Sequence, residues 1–311
     1  MPIDIETEQK QIKAMTLQGI KYALQLMRPQ QWTKNIFIFV PLFFSSRIHE
    51  VQYVIPTIFA FLSFCMVASS IYCFNDIHDA DADRLHPTKC LRPIAAGHVS
   101  KGGGYLIMAF CFLSAIALTF AIGIDKLSHT LSIILAYWVL NIFYCVKLKQ
   151  VAILDVTCIA VGFLMRVMMG GVAADARASQ WLIMMTFLLT LFLALSKRYD
   201  DVLLNVEEGK VMRKSITGYD VYFISVVMAV VAAVTLVCYI MYTISDEVTA
   251  RFGTNKIYLT SIWVICGLSR FLQLMIVFHK SSSPTRTIIY DRFMRACIIG
   301  WILSFFLIIY L

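Results

Sequence analysis

Four aspartates fall within eight residues in the stretch Asn75-Asp76-Ile77-His78-Asp79-Ala80-Asp81-Ala82-Asp83, and Arg84-Leu85-His86-Pro87-Thr88-Lys89-Cys90-Leu91-Arg92-Pro93 follows directly. On a helix continuing through the motif, Asn75, Asp76, Asp79 and Asp83 stand at i, i+1, i+4 and i+8 and form one stripe, with Asp81 and His78 pointing elsewhere. A stripe of bare carboxylates repels itself and needs a counter-charge. Hard oxygen ligands at this spacing suit Mg²⁺, which keeps waters and takes the rest of its shell from substrate phosphates. A solvated acidic helix end would share the composition. Lys89 and Arg92 close behind are what a phosphate clamp beside a metal requires, and they favour the metal-site reading.

A second set of acids and bases is Lys197-Arg198-Tyr199-Asp200-Asp201, followed by Arg213-Lys214-Ser215. Here Asp201 is the better metal-side carboxylate, with Asp200 one residue off the same helical direction. Lys34, Asn35, Tyr144, Lys147, Asp155 and Arg166 are further polar residues at the ends of, or inside, apolar runs. Intramembrane charges are costly and usually functional, which makes Arg166 a ligand-facing candidate. Pairing with Asp155, eleven residues earlier, would need a reach of about 16 Å along a helix.

The elements that carry these residues are read from composition. Of 311 residues 59% are hydrophobic and 15% charged, and the mean hydropathy is +0.76. That is a polytopic membrane protein. The apolar runs are continuous and do not alternate, so they are helices, with every backbone group satisfied internally. The expected fold is an all-α membrane helical bundle of about nine spans: one beginning near Gln30, then Val54–Phe74, Tyr105–Ile124, Thr130–Val146, Val151–Gly171, Trp181–Leu195, Tyr222–Ile244, Tyr258–Phe278 and Phe293–Leu311. Residues 1–29 read as an N-terminal interfacial amphipathic segment, and 30–311 as a single transmembrane domain. The first twenty residues are polar, so no secretory signal is expected in them. The nine cysteines occur singly, with no Cys-x-x-Cys pair, so neither a disulfide framework nor a zinc site is expected.

On this layout twenty Lys and Arg fall on one face and five on the other, which sets the basic face in the cytoplasm of a cell-membrane protein. The net charge of +8 therefore reports topology and not nucleic acid. The two acid-plus-base clusters follow the second and sixth spans, four helices apart. That placement suggests a duplicated four-helix unit converging on one cytosolic site.

Asn-Asp-x-x-Asp-x-x-x-Asp after the second span resembles the signature of the UbiA superfamily of intramembrane prenyltransferases. Within it, the chain is similar to the decaprenyl-phosphate phosphoribosyltransferase branch through Arg28-Pro29-x-x-Trp32-x-Lys34-Asn35, His86-Pro87-x-Lys89-x-x-Arg92-Pro93, Lys197-Arg198-Tyr199, Arg213-Lys214-Ser215 and Asp291-Arg292. Asp201 stands where that branch usually has Glu. The basic Lys-Arg-Tyr segment replaces the second acidic motif of aromatic prenyltransferases. The resemblance implies transfer of 5-phosphoribosyl from 5-phosphoribosyl 1-diphosphate to a polyprenyl phosphate, releasing diphosphate, in cell-envelope precursor synthesis. It implies Mg²⁺ as cofactor and membrane lipid as surroundings, and it permits a homo-oligomer. The carboxylates expected at the reaction are Asp76, Asp79, Asp83 and Asp201, with Asn75 added for the metal. Lys89, Arg92, Lys197 and Arg198 are the cations for donor phosphates, and Lys34 or Arg166 for the lipid phosphate. Asn35, Tyr144, Lys147, Asp155, Tyr199 and Arg213 complete the expected binding residues. Rival readings are an aromatic prenyltransferase, which needs a strong second acidic motif, and a transporter, which needs charges on both faces.

Overall fold

The computed structural model describes residues 18–45, 47–176, 179–208, 218–279 and 289–310, and every regular element among them is helical. Residues 18–27 form α1, the described part of the expected amphipathic segment. A 3₁₀ helix over Pro29–Phe39 runs into α2 (Val40–Phe44). Then come α3 (Val51–His78), α4 (Ala80–Arg84), α5 (Lys101–Phe120), α6 (Leu127–Val146), α7 (Leu154–Ala173) and α8 (Gln180–Glu208). The chain continues with α9 (Val221–Thr243), α10 (Asp246–Phe252), α11 (Ser261–Ile276) and α12 (Arg292–Tyr310).

Among the described residues seven helices are long and apolar enough to cross a membrane: α3, α5, α6, α7, α8, α9, and α11 with its leading turn from Ile257. The protein is therefore a multi-pass membrane protein. The last expected span corresponds to α12, which is not among the seven. The first takes an unexpected form. Pro29–Phe44 is only 11 plus 5 residues long. A 3₁₀ helix rises about 2.0 Å per residue against about 1.5 Å for an α-helix, so the segment reaches about 30 Å. That equals the thickness of a hydrocarbon core.

Two compact units divide the chain, and α7 contributes its first half to one and its second half to the other. The first unit comprises residues up to Val146 together with Met165–Arg177. Its core is built from Ile38, Phe64, Val67, Ile134, Tyr137 and Met169. Small polar side chains stitch its helices: Ser63 Oγ donates to the Ala115 carbonyl (2.8 Å), and Trp138 Nε1 to Ser70 Oγ (3.2 Å). Gly170 of α7 lies directly against the backbone of the 3₁₀ helix. A Cβ there would overlap the Ile38 carbonyl oxygen, so only glycine permits this approach.

The second unit comprises Lys147–Leu164 and residues from Ala178 onward. Val156, Phe192, Tyr199, Ile224, Met228 and Phe271 are buried at its centre. Asp220 caps α9 by accepting from the amides of Tyr222 (2.9 Å) and Phe223 (3.3 Å), which satisfies two donors that the helix start leaves open.

Candidate active site

The acidic motif straddles a helix bend. α3 ends at His78, Asp79 adopts φ −90°, ψ 3°, and α4 restarts at Ala80. The stripe expected from the sequence is bent at Asp79, which sits in the bridge region of backbone space, while the helical bonds carry through it: its amide donates to the Asn75 carbonyl (2.9 Å) and its carbonyl accepts from Asp83 (2.8 Å). Asp76 and Asp83, seven residues apart, remain together: their side chains are only 1% and 5% exposed, and Arg92 Nη1 donates to both, at 3.2 and 2.6 Å. Arg28 Nη2 donates to the same Asp76 Oδ1. Asp79 turns to His78, with Oδ1 2.9 Å from Nδ1. Asp81, 73% exposed, pairs with Arg84 (3.0 Å) and Lys101 (3.1 Å), away from the other carboxylates.

Asn75 and Lys89 are half-buried beside this cluster in sequence, Lys89 opening the short turn Lys89–Leu91. His86 shapes that turn: its Nδ1 accepts from the amides of Thr88 and Lys89 (3.3 and 3.4 Å). Arg28 was absent from the residues expected at the site. Its one sequence signal is its place immediately before Pro29 in the Arg-Pro-x-x-Trp motif.

Among the described residues no three Asp, Glu, His or Cys side chains form a ready metal cage. Asp76 Oδ2, however, is buried with no hydrogen-bond partner. A buried carboxylate oxygen without a donor is costly, and a hard cation is its natural complement. Two carboxylates fit Mg²⁺, which is bound through one or two such groups and completes its shell with phosphate oxygens and water. The donor set suits that ion when it arrives with a phosphate.

A second polar group in the first unit centres on Arg166, which is 5% exposed. Its Nε donates to Asn35 Oδ1 (2.7 Å) and its Nη2 to the Tyr137 hydroxyl (3.1 Å). The guanidinium also lies over the rings of Phe64 and Tyr137, at 5.4 and 5.1 Å. Asn35 Nδ2 in turn donates to Cys65 Sγ (3.2 Å). Tyr137, buried in the middle of α6, gave no signal in the sequence beyond being aromatic. Lys34 is exposed, and Tyr144 is half-buried.

In the second unit Asp155 is fully buried and Arg198 is 2% exposed. Arg198 Nε donates to Asp155 Oδ2 (2.6 Å) and Nη1 to Asp201 Oδ2. The Tyr219 hydroxyl donates to Asp155 Oδ1 (2.6 Å) and accepts from the amide of Ile153 (2.7 Å), a residue at φ 69°. Burial pushes the Tyr219 hydroxyl well above the usual phenol range, and its bond to Asp155 adds to the rise. Arg198 was expected to hold a donor phosphate. Here its fork meets two carboxylates inside the protein. Tyr199 was expected to bind substrate, but it is 1% exposed and packs in the core of this unit, its ring parallel to that of His279. Asp200 is buried (6%), while the Asp201 side chain keeps 22% exposure. Lys197 and Lys147 are exposed, and Arg213 lies outside the described residues.

The chain matches the model of the UbiA prenyltransferase family over residues 36–208, a range that contains both acid-plus-base clusters. It is 34% identical to the decaprenyl-phosphate phosphoribosyltransferase of Mycolicibacterium smegmatis over 229 residues, covering 72% of this chain and 70% of that protein. It is 30% identical to the enzyme of the same name from Mycobacterium tuberculosis, covering 70% and 72%. In fold it is similar to a UbiA homologue of Archaeoglobus fulgidus solved with GPP and Mg²⁺, at a TM-score of 0.64 and 16% identity over 93% of this chain and all of that one.

Proposed function

Because this chain belongs to the UbiA prenyltransferase family, we propose that it is the transferase that moves 5-phosphoribosyl from 5-phosphoribosyl 1-diphosphate to a polyprenyl phosphate. The observation that carries the reading is the pair of buried carboxylates Asp76 and Asp83 under two arginines, Arg28 and Arg92. Such a group suits a diphosphate that brings its own divalent cation. The relatives that carry the phosphoribosyltransferase name, at 30–34% identity, supply the substrate class.

Asp76 and Asp83 would hold Mg²⁺, with Asn75 and Asp79 as the neighbouring oxygen donors of the motif. When bound, the ion would neutralise charge on the leaving diphosphate. Arg28, Arg92 and Lys89 orient that diphosphate by charge-assisted hydrogen bonds. The C1–O bond to diphosphate breaks, C1 gains positive character, and an acceptor phosphate oxygen forms the new C1–O bond. That oxygen is already anionic at neutral pH, so no proton has to be removed and no general base is needed. Positioning and charge stabilisation carry the rate. Arg166, oriented by Asn35 and Tyr137 within the membrane-spanning part of the first unit, suits the lipid phosphate. Lys197, exposed at the surface of its unit, offers a point charge to a phosphate oxygen.

The uneven distribution of Lys and Arg supports a site facing the cytoplasm of the cell membrane, with residues 1–29 lying at the interface and 30–311 forming the transmembrane domain. The test is an assay of the purified chain with labelled phosphoribosyl diphosphate, a short polyprenyl phosphate and Mg²⁺. Formation of a lipid-linked phosphoribose supports the reading. Turnover of a prenyl diphosphate with an aromatic acceptor, and none with phosphoribosyl diphosphate, overturns it.

A further inference from the structure

Arg28 is held in an unfavourable backbone conformation. Its φ of 53° and ψ of 60° lie in the left-handed region, which non-glycine residues seldom adopt, and the residue before a proline is driven toward extended backbone instead. The strain persists because its surroundings fix it. The Arg28 amide donates to the Leu24 carbonyl (3.2 Å) and its own carbonyl accepts from Gln31 (2.9 Å). Strain of this kind collects where a side chain must be aimed. Here it aims a guanidinium at Asp76 Oδ1, with the Tyr72 ring 5.2 Å beneath as a second hold.

The cluster is layered. The Arg28 and Arg92 side chains are 21% and 24% exposed, against 1% and 5% for Asp76 and Asp83. A solute approaching the carboxylates meets the arginines first. Both arginines crowd onto Asp76 Oδ1 while Asp76 Oδ2 has no partner, so the pairing leaves one buried oxygen unserved. A metal ion arriving alone finds Asp76 Oδ2 open, but to take Asp83 Oδ2 as well it would have to displace the Arg92 guanidinium and leave it half-buried without an anion, which is unfavourable. A metal ion arriving with a diphosphate supplies the anion that the displaced arginine then needs.

We propose that Arg28 and Arg92 are exchangeable counterions: they hold Asp76 and Asp83 until a metal–diphosphate pair arrives, then move to the diphosphate oxygens, so that metal and diphosphate bind together and metal alone is excluded. This rests on reading Asp76 and Asp83 as the metal-side carboxylates, and is independent of which group the diphosphate carries. Coupling of this kind is reciprocal, each ligand raising the affinity of the other by the same factor.

The experiment is equilibrium dialysis of the full chain in detergent against Mn²⁺, with and without inorganic diphosphate, counting metal and diphosphate bound per protein. The variants are Arg28→Gln, Arg28→Lys and, as an exposed control, Asp81→Asn, each checked for folding by thermal unfolding. Wild type should bind Mn²⁺ weakly alone and about tenfold or more tightly with diphosphate, the factor expected for one charge-assisted contact. In Arg28→Gln, affinity for Mn²⁺ alone should rise by a similar factor, diphosphate affinity should fall, and the coupling should shrink. Arg28→Lys, which keeps the charge but not the fork, should lie between, and it reads the same effect if Arg28→Gln fails to fold. Asp81→Asn should match wild type. Mn²⁺ binding to wild type as tightly without diphosphate as with it overturns the exchange and leaves the metal reading standing, as does unchanged Mn²⁺ affinity in both Arg28 variants. Absence of Mn²⁺ binding under every condition overturns both.

Discussion

Replacing Arg198 with alanine removes the group that bridges Asp155 and Asp201. Asp155 is fully buried, and after the change its Oδ2 has lost its charged partner while Oδ1 keeps only neutral donors, the Tyr219 hydroxyl and the Val156 amide. Breaking a buried ion pair by deleting one member costs about 3–5 kcal/mol, because the remaining charge is uncompensated. Arg198→Lys keeps a charge but can reach one carboxylate at a time. It should lose one charge-assisted hydrogen bond, about 1.5–3 kcal/mol. Removing both charges together, as Asp155→Leu with Arg198→Met, should recover most of the loss, since an apolar pair of similar volume is often as stable as the ion pair it replaces. The assay is equilibrium unfolding in mixed micelles read by intrinsic fluorescence, run beside calorimetric affinity for phosphoribosyl diphosphate. If Arg198→Ala unfolds like wild type while donor affinity drops more than about tenfold, equivalent to 1.4 kcal/mol, the guanidinium serves a phosphate and the buried bracket is misread.

Other outcomes follow from the same geometry. Gly170→Ala should destabilise the first unit by about 1–3 kcal/mol or more, because the new methyl group overlaps the Ile38 backbone; wild-type thermal stability in this variant would mean that the 3₁₀ helix yields freely. Asp76→Asn and Asp83→Asn should abolish transfer in the radiolabel assay, while Asp81→Asn, at a side chain 73% exposed, should stay active; a dead Asp81→Asn beside an active Asp83→Asn would refute the assignment. The hydrogen bonds that Arg270 donates to Asp291 hold that carboxyl below its ordinary range. A depressed carboxylate contributes stability that is complete above its unfolded value, near about pH 4, and is lost as pH falls through the folded value. Thermal unfolding measured down the acid range should therefore show a loss in wild type that Arg270→Gln lacks.

Asp76 and Asp83 were legible as partners because seven residues are two helical turns, and the bend at Asp79 between them does not undo that periodicity. The bend at Asp79 itself was not legible, since nothing in Ile77-His78-Asp79-Ala80 marks one. The membrane helices followed from unbroken apolar runs, but an apolar run does not say whether it winds as an α- or a 3₁₀ helix. For Arg198 the difficulty is distance along the chain. A basic residue at a span end looks the same whether it faces solvent or meets carboxylates, and its partner Asp155 is 43 positions away, with Tyr219 a further partner of that aspartate at 64. Arg28 went unread for another reason: local propensity argues against its backbone conformation, and such conflicts gather at sites where the fold forces a side chain into place.

The 3₁₀ helix has a consequence for how the first unit keeps its alignment. Trp32 Nε1 donates to Ser69 Oγ (3.1 Å) and Asn35 Nδ2 to Cys65 Sγ (3.2 Å). Three residues on one strand of this zipper thus answer to four on the other. Three steps of a 3₁₀ helix advance about 6 Å, and four steps of an α-helix advance about 6 Å as well. Two helices of unlike pitch mesh here like the divisions of a vernier, tooth for tooth. Rewound as an α-helix, Pro29–Phe39 would shorten from about 22 to about 16 Å and fall out of step with α3. A chain redesigned toward α-helical propensity in this segment would then keep Trp32 or Asn35 on its partner, but not both, and Arg166 would lose one of the oxygens that orient it whenever Asn35 is the one released.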